Sequence, residues 1–188
     1  MIVVHKIAIA IADISVARNW IQPQDRPWCA YAVELKLISF LFFLILLPVT
    51  ILLKVVWEAL IFSMVFIVLR SRFGGWHAPY AWLCQVISVG LVLFTTIFVG
   101  PAALELPHAL LWVADVFLLI LAFFQKPVYQ EQVHFDVKIQ IANNKKKNAI
   151  LFTIFFLQII VSRFFYSFFV YSMLAVLADL ISVYIEIF

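Results

Sequence analysis

The sequence contains few charged residues and few of the residues that interrupt helices. Asp, Glu, Lys and Arg make up 12% of it, against about 25% in an average soluble domain. Only four of its 188 residues are glycine, while 66% are hydrophobic and the mean hydropathy is +1.12. This composition excludes a soluble globular domain and indicates an integral membrane protein. The strands of a β-barrel alternate polar and apolar residues, which this sequence does not, so we predict helices.

Several classes of site are excluded because their residues are missing. The two cysteines, Cys29 and Cys84, are too few for a disulfide framework. Cys29 has aromatic neighbours and is interpreted as a packing or interfacial residue. The sequence has no HExxH motif, and its four histidines are too dispersed to form a ligand set, so no metal and no cofactor are predicted. No basic patch is interleaved with aromatic residues, which excludes nucleic acid as a partner. The histidines are His5, His77, His108 and His134.

Predominantly apolar stretches of about the length that crosses a bilayer predict about six hydrophobic helices. They lie at 37–53, 55–69, 80–100, 106–125, 148–162 and 164–185. Lys54 and Arg163 are expected to mark tight turns between neighbouring helices. The predicted fold class is therefore all-α, a polytopic membrane protein with a single domain over 1–188.

The first 30 residues predict a helix at the membrane interface. Charges at Lys6, Asp13 and Arg18 prevent an apolar span of about 20 residues. The short apolar run after Lys6 has no plain cleavage pattern, so we expect this segment to be retained.

The distribution of basic residues predicts the orientation. With the N-terminus inside, eleven of the thirteen Lys and Arg residues lie on the cytoplasmic side, where such residues are retained. We therefore expect a multi-pass protein of the cell membrane, with the N-terminus and residues 70–84 at the cytoplasmic face.

The stretch 125–148 is expected to be a cytoplasmic loop, and its five lysines give it a net charge of +3. Two interpretations remain open. In the first, the lysines anchor the loop to anionic lipid headgroups of the bilayer. Alternatively, Lys145, Lys146 and Lys147 dock an acidic partner peptide.

Residues 70–84 combine helix-breaking residues with two reactive side chains. Gly74 and Gly75 disfavour a helix, and Pro79 suits the first turn of a new one. On one straight helix, His77 and Cys84 would be about 10 Å apart, whereas proton transfer needs a separation of about 3 Å. The breaks would let His77 fold back over Cys84.

The surroundings of Cys84 favour its thiolate. It lies near the expected start of a helix, where the helix dipole stabilises negative charge, and Arg70 adds positive potential. The spacing by itself also allows a structural cysteine and an interfacial histidine.

The stretch "LRSRFGGWHAPYAWLC", residues 69–84, resembles the signature of the AgrB (accessory gene regulator B) family. These are membrane cysteine peptidases that process quorum-sensing peptide precursors in Gram-positive bacteria. The shared pattern is an arginine-rich helix end, a small pair, a His-Ala pair and a cysteine seven residues after the histidine. The specific match covers about residues 34–84, and beyond it only the layout is similar. The loop at 125–148 is less proline-rich and less basic than is typical of the family.

The resemblance implies a cysteine endopeptidase in which Cys84 is the nucleophile and His77 the general base. It implies cleavage of a precursor at the C-terminal end of its signal segment, through a thioester, followed by cyclisation to a thiolactone or lactone. The implied partners are a precursor with an acidic C-terminal tail and a second copy in a homodimer. The N–H groups of Gly74 and Gly75 are then candidates for binding the oxyanion.

A third residue is expected to orient His77, and depth in the membrane favours Glu34. Asp115 lies about ten residues from either end of its predicted span, near the middle of the bilayer, and an internal contact with Gln158 is expected for it. Glu34 has the depth of His77, and the resemblance places a Glu there. A solvated charge at a helix end remains the alternative interpretation of Glu34. Arg70 is expected to pair with Glu34 or with carboxylates of the precursor.

A second class of function remains open from the sequence. The protein could be a non-enzymatic transporter subunit or a peptide-binding scaffold. A transporter is expected to show broken helices at corresponding positions of two halves, and the only break here lies at 74–79.

Overall fold

A computed structural model describes residues 2–74, 81–128 and 137–187, and the regular elements within them are helices. A 3₁₀ turn at Pro23–Asp25 precedes α2, and a π-helical turn at Thr95–Val99 joins α4 to α5. The all-α prediction is therefore confirmed. The α-helices are α1 (Ile2–Ala17), α2 (Arg26–Leu52), α3 (Val56–Phe73), α4 (Ala81–Phe94), α5 (Gly100–Leu104), α6 (His108–Phe124), α7 (Val137–Val161) and α8 (Tyr166–Ile187).

The six predicted hydrophobic stretches coincide with α2, α3, the run from α4 to α5, α6, α7 and α8. Within the described ranges, three helical stretches are long and apolar enough to cross a membrane: Pro23–Leu52, Leu83–Leu104 and Tyr166–Ile185. His108–Phe124 is a shorter apolar helix. These helices, together with the composition, are those of an all-α membrane protein.

The predicted helix ends agree with the backbone. Lys54 has a φ of +59° and lies between α2 and α3, and Arg163 lies in the turn between α7 and α8. Gly74 has a φ of +71° directly after α3, which is the usual position of a glycine that ends a helix.

The predicted cytoplasmic loop at 125–148 is wrong in its second part, because α7 begins at Val137. The lysines of this stretch therefore lie on a helix continuous with the apolar run that follows. The physical reason is that residues 137–161 contain no glycine or proline, and lysine is a good helix former.

The described residues divide into two compact units, of which the first contains residues 2–53 and 81–90. Its α1 helix packs on α2 through two fully buried alanines, Ala8 and Ala12. At the helix surface, Arg26 Nε donates a hydrogen bond to Asp13 Oδ1. This bond lowers the pKa of the Asp13 carboxyl below its usual value. The predicted interfacial segment is thus a helix attached to α2 by small apolar residues and surface charges.

The second unit contains residues 54–74 and the described residues from 91 on. Its core is formed by α3, α6, α7 and α8, and α8 is buried along a continuous run of residues, 169–176. A helix that is buried on most of its sides is the centre of a bundle. The core side chains are Leu69, Phe73, Ala122, Leu151, Ile154, Val176, Leu180 and Val183.

The π-helical turn explains a contact between α8 and the run from α4 to α5. The N–H of Gly100 bonds to Thr95 O, and Pro101 has no N–H to donate. The carbonyl oxygen of Thr96 therefore receives a helical hydrogen bond from neither Gly100 nor Pro101. The Tyr171 hydroxyl lies 3.4 Å from Thr96 O and supplies the missing donor. A Cβ at Gly100 would overlap the Tyr171 ring, so glycine permits this close approach.

Candidate active site

The predicted catalytic motif at 70–84 is described on both sides of its centre. Residues 75–80, which include Gly75 and His77, lie outside the described residues. On one side α3 ends at Phe73, followed by Gly74, and on the other Cys84 lies on α4, which is described from Ala81. The helix break predicted between Arg72 and Pro79 is consistent with these two ends.

The end of α3 is fixed by backbone contacts with the segment that follows α6. Val128 N donates a 2.7 Å hydrogen bond to Phe73 O, and Gly74 forms a short parallel bridge with Val128. A Cβ at Gly74 would overlap the Val128 carbonyl oxygen. The glycine is therefore needed both for its positive φ and for this close approach.

The hydrogen bond made by the Gly74 N–H changes the oxyanion hypothesis. This group donates to Arg70 O at 3.1 Å and closes the last turn of α3. A donor engaged in this way is not aimed at a substrate. The hypothesis therefore depends on the Gly75 N–H, which lies outside the described residues.

Arg70 is half-buried and directed toward α8. Its guanidinium donates a hydrogen bond to Ser182 Oγ, and it interacts electrostatically with the buried Asp179. The two residues of α8 lie three positions apart, so they occupy neighbouring positions on one face of that helix. Both of these partners of the Arg70 side chain lie on α8.

Cys84 is a free, half-buried thiol near the described start of α4. The neighbouring Gln85 donates through Nε2 to Ile38 O on α2, at 3.2 Å. Glu34 lies one helical turn before Ile38 on the same helix, and its Oε2 is 2.9 Å from His5 Nδ1. Within the first unit, Glu34 is therefore paired with a residue of α1, a partner that the sequence did not indicate.

The family model for Accessory gene regulator B, AgrB, matches residues 6–187, which is nearly the whole chain. The chain belongs to the AgrB family. No curated protein and no solved structure matches it. The resemblance noted for residues 69–84 therefore extends over the helices on both sides of them. Membership supports involvement in accessory gene regulator peptide processing, with a peptide substrate and a membrane context.

The three consecutive lysines of this AgrB family member occupy different environments. Lys145 and Lys146 are exposed, whereas Lys147 is 0% exposed. Its ammonium donates to Ala122 O at 3.0 Å, to Phe123 O at 3.1 Å and also to Gln125 O. Burial lowers the pKa of Lys147 to about 8. Of the three lysines, only Lys145 and Lys146 are therefore accessible for docking a peptide.

A signal for the buried lysine is present in the sequence. Successive residues of a helix point about 100° apart, so three consecutive lysines cannot share one face. Which of them turns inward depends on how α7 packs, and a sequence pattern does not contain that information.

The expected contact of Asp115 with Gln158 is confirmed. Gln158 Nε2 is 3.2 Å from Asp115 Oδ1 and 2.9 Å from Ser172 Oγ, and all three residues are buried. The network joins α6, α7 and α8. Asp115 is thus part of the packing of the second unit.

The two described histidines both have partners within the chain. His5 pairs with Glu34, and the His108 ring stacks on Tyr166 with 3.9 Å between the ring centroids. Among the described residues, no three His, Cys, Asp or Glu side chains are grouped in a way that would hold a metal ion.

Proposed function

We propose that this AgrB family member is a membrane cysteine endopeptidase that acts through Cys84. Its substrate is the precursor of an accessory gene regulator peptide, which it cleaves at the C-terminal end of the signal segment. The observation that carries the proposal is the spacing of His77 and Cys84 after the Gly-Gly pair, in a chain that matches the family over residues 6–187. The free thiol of Cys84, half-buried on α4, supports it.

The proposed cleavage follows the chemistry of a thiolate and an imidazole. His77 accepts the proton of the Cys84 thiol, and the thiolate attacks the carbonyl carbon of the scissile amide. A carbon–sulfur bond forms and the carbon–nitrogen bond breaks. The imidazolium of His77 returns the proton to the leaving amine. The products are the released tail and a thioester between the signal segment and Cys84.

The thioester then allows cyclisation without another source of energy. An internal thiol or hydroxyl of the precursor attacks the thioester carbonyl, giving a thiolactone or a lactone. The bond to Cys84 breaks, and the proton lost by the attacking group passes to the Cys84 sulfur. Exclusion of water from the site favours this exchange over hydrolysis.

Recognition of the precursor is assigned to the basic residues of α7. Lys145 and Lys146 are exposed at the end of α7 that precedes its apolar part, where they can attract an acidic C-terminal tail. The same two charges would also bind anionic lipid headgroups, which is the alternative role of this stretch.

The proposal is tested by expressing the protein together with a short precursor peptide from the same operon. Mass spectrometry should detect the released tail and the cyclic product with wild type and with Cys29→Ala, the control cysteine. Neither product should form with Cys84→Ala or with His77→Ala. Cleavage that persists in Cys84→Ala would reject the enzymatic proposal in favour of a non-enzymatic scaffold or transporter subunit.

We also propose that the N-terminus and the catalytic motif face the cytoplasm and that the chain crosses the cell membrane several times. The excess of basic residues on one side supports this orientation. A reporter that is active only outside the cell should be active when it is fused after Lys54. A reporter that is active only inside the cell should be active when it is fused after Lys126. The opposite pattern would invert the topology.

The family resemblance further implies a homodimer. Chemical cross-linking in native membranes, with differently tagged copies expressed together, should recover both tags in one species. Recovery of a single tag under conditions that cross-link a known dimer would argue for a monomer.

A further inference from the structure

An open apolar groove of about 260 Å³, named here the α6–α7 groove, lies between α6 and α7 within the second unit. Its lining side chains come from residues 116–124 and 151–155, and all of them are aliphatic or aromatic. Leu151 is 3% exposed and lies at its floor, while the exposed rings of Phe123 and Phe152 contact each other, with 5.9 Å between their centroids. The lining on α6 is about 12 Å long, at 1.5 Å per residue.

Two exposed lysines lie at one end of this groove. Lys126 follows the last residue of α6 by two positions, and Lys145 precedes Phe152 by seven, which places Lys145 and Phe152 on one face of α7. These parts of the two helices are held together, because the buried ammonium of Lys147 donates hydrogen bonds to the last carbonyl oxygens of α6. The α6–α7 groove therefore has an apolar lining and a positively charged end.

The face of α7 that lines the groove changes from apolar to polar toward the charged end. Phe155, Leu151, Asn148 and Lys145 follow one another at spacings of three or four residues, so they form one row on the helix. The side-chain oxygen of Asn148 is buried and accepts no hydrogen bond from the described residues. An amide can donate to an ester oxygen and accept from a hydroxyl. A phospholipid has the same order of groups: acyl chain, ester-linked glycerol and phosphate.

We propose that the α6–α7 groove binds an anionic phospholipid, with an acyl chain between the two helices and the phosphate at Lys126 and Lys145. Lipid tails surround every exposed apolar side chain of a membrane protein, so the apolar lining alone does not select a ligand. The lysines select the headgroup, because basic sites between membrane helices attract anionic lipids. The inference does not depend on the proposed peptidase chemistry.

Lys146 lies on another side of α7 and provides a matched control. It precedes Thr153 by seven residues and shares a face with that residue, which does not line the groove. Lys145 and Lys146 are both exposed and carry the same charge. A site defined by the groove distinguishes between them, whereas a general attraction to an anionic surface does not. Lys146 also stays available for the acidic tail of the proposed substrate.

Native mass spectrometry of the full chain in detergent measures the binding directly. We expect wild type to bind phosphatidylglycerol more tightly than phosphatidylcholine with the same acyl chains. Lys145→Gln should weaken the binding of phosphatidylglycerol about fivefold, and the double variant with Lys126→Gln roughly 25-fold. Lys146→Gln should bind it as wild type does. Equal affinity for the two lipids, or equal losses in Lys145→Gln and Lys146→Gln, would overturn the proposal.

A phosphatidylglycerol with a photoactivatable diazirine in its acyl chain locates the site in proteoliposomes. Its crosslinks, mapped by mass spectrometry after digestion, should concentrate on residues 116–124 and 151–155. Val116→Trp places a larger side chain in the groove and should reduce these crosslinks several-fold. Val113→Trp is the control, because Val113 is exposed on α6 but does not line the groove.

Two other outcomes would assign the groove differently. Crosslinks spread evenly over all the exposed apolar helix faces would mean that lipids contact the protein without a defined site. A dimer that forms without added lipid and is lost in Val116→Trp, but not in Val113→Trp, would assign the groove to a second copy of the chain. Either result would overturn the proposal and leave the proposed peptidase function standing.

Discussion

His5 Nδ1 lies 2.9 Å from Glu34 Oε2 and joins the N-terminal helix to α2. This pair gives Glu34 a partner that the sequence did not predict. Glu34 thus has two candidate roles. It attaches α1 to α2, or it supports His77 in the proposed reaction.

The two roles of Glu34 predict different double-mutant results. If Glu34 acts through His5, then His5→Ala and Glu34→Gln should reduce peptide processing equally, and the double variant should be no worse than either single one. If Glu34 supports His77, then Glu34→Gln alone should reduce the rate. Given the observed contact, we expect the first result. A strong loss in Glu34→Gln beside a fully active His5→Ala would contradict it, with product formation measured by mass spectrometry.

Gly74→Ala should destabilise the protein and reduce its activity. A non-glycine residue at a φ of +71° is strained by about 1–3 kcal/mol, and its Cβ would also overlap the Val128 carbonyl oxygen. Gly90→Ala is the matched control, because a Cβ there has no atom within 4 Å, and alanine is favoured in a helix by about 0.5–1 kcal/mol. Thermal unfolding in detergent should separate the two variants. Equal melting temperatures would show that the contact of Gly74 with Val128 is not important for stability.

Gln158→Leu should destabilise the helix bundle. It removes the donor that reaches Asp115 Oδ1 and Ser172 Oγ, and leaving buried acceptors unpaired costs about 1–3 kcal/mol. In the double variant with Asp115→Leu, the loss should be smaller than the sum of the single losses. The comparison variant is Thr153→Ala on the exposed face of α7, which should change stability by less than about 0.5 kcal/mol. Additive losses would indicate that the network does not act as a unit.

Lys147 should make stability rise at alkaline pH. Burial lowers its pKa from 10.5 to about 8, so between these values the unfolded chain binds more protons than the folded one. Stability from this group is therefore complete above about pH 10.5 and is lost as the pH falls through about 8. The difference in unfolding free energy between wild type and Lys147→Met should shift in favour of wild type by up to about 3 kcal/mol over this range.

The control for this pH dependence is the exposed neighbour. Lys146→Met should follow the wild-type stability curve across the same range, because Lys146 is exposed whereas Lys147 is buried. A Lys147→Met curve parallel to wild type would mean that the ammonium is better hydrated than its burial implies.

Much of the fold could be predicted from the sequence because the membrane restricts the available structures. The apolar stretches at 37–53 and 164–185 had to be helical, since only helices satisfy their own backbone groups in lipid. The end near Lys54 followed from its charge between two apolar stretches, and the end near Gly74 followed from the Gly-Gly pair. The start of α7 at Val137 was missed, because a polar helix without an apolar stripe resembles a loop.

The catalytic motif is determined by the sequence itself, whereas the packing of the helices is determined by the tertiary structure. Residues 69–84 by themselves carried the resemblance that the family match extended to 6–187, because a nucleophile, a base and the breaks between them are set by residue type and spacing. Only the tertiary structure decided that Glu34 pairs with His5, that Gly74 lies against Val128 and that Lys147 points inward to cap α6. These contacts join residues far apart in the chain, and they depend on which face of each helix is turned toward its neighbour, a choice made by the summed packing of the bundle and not by any local pattern.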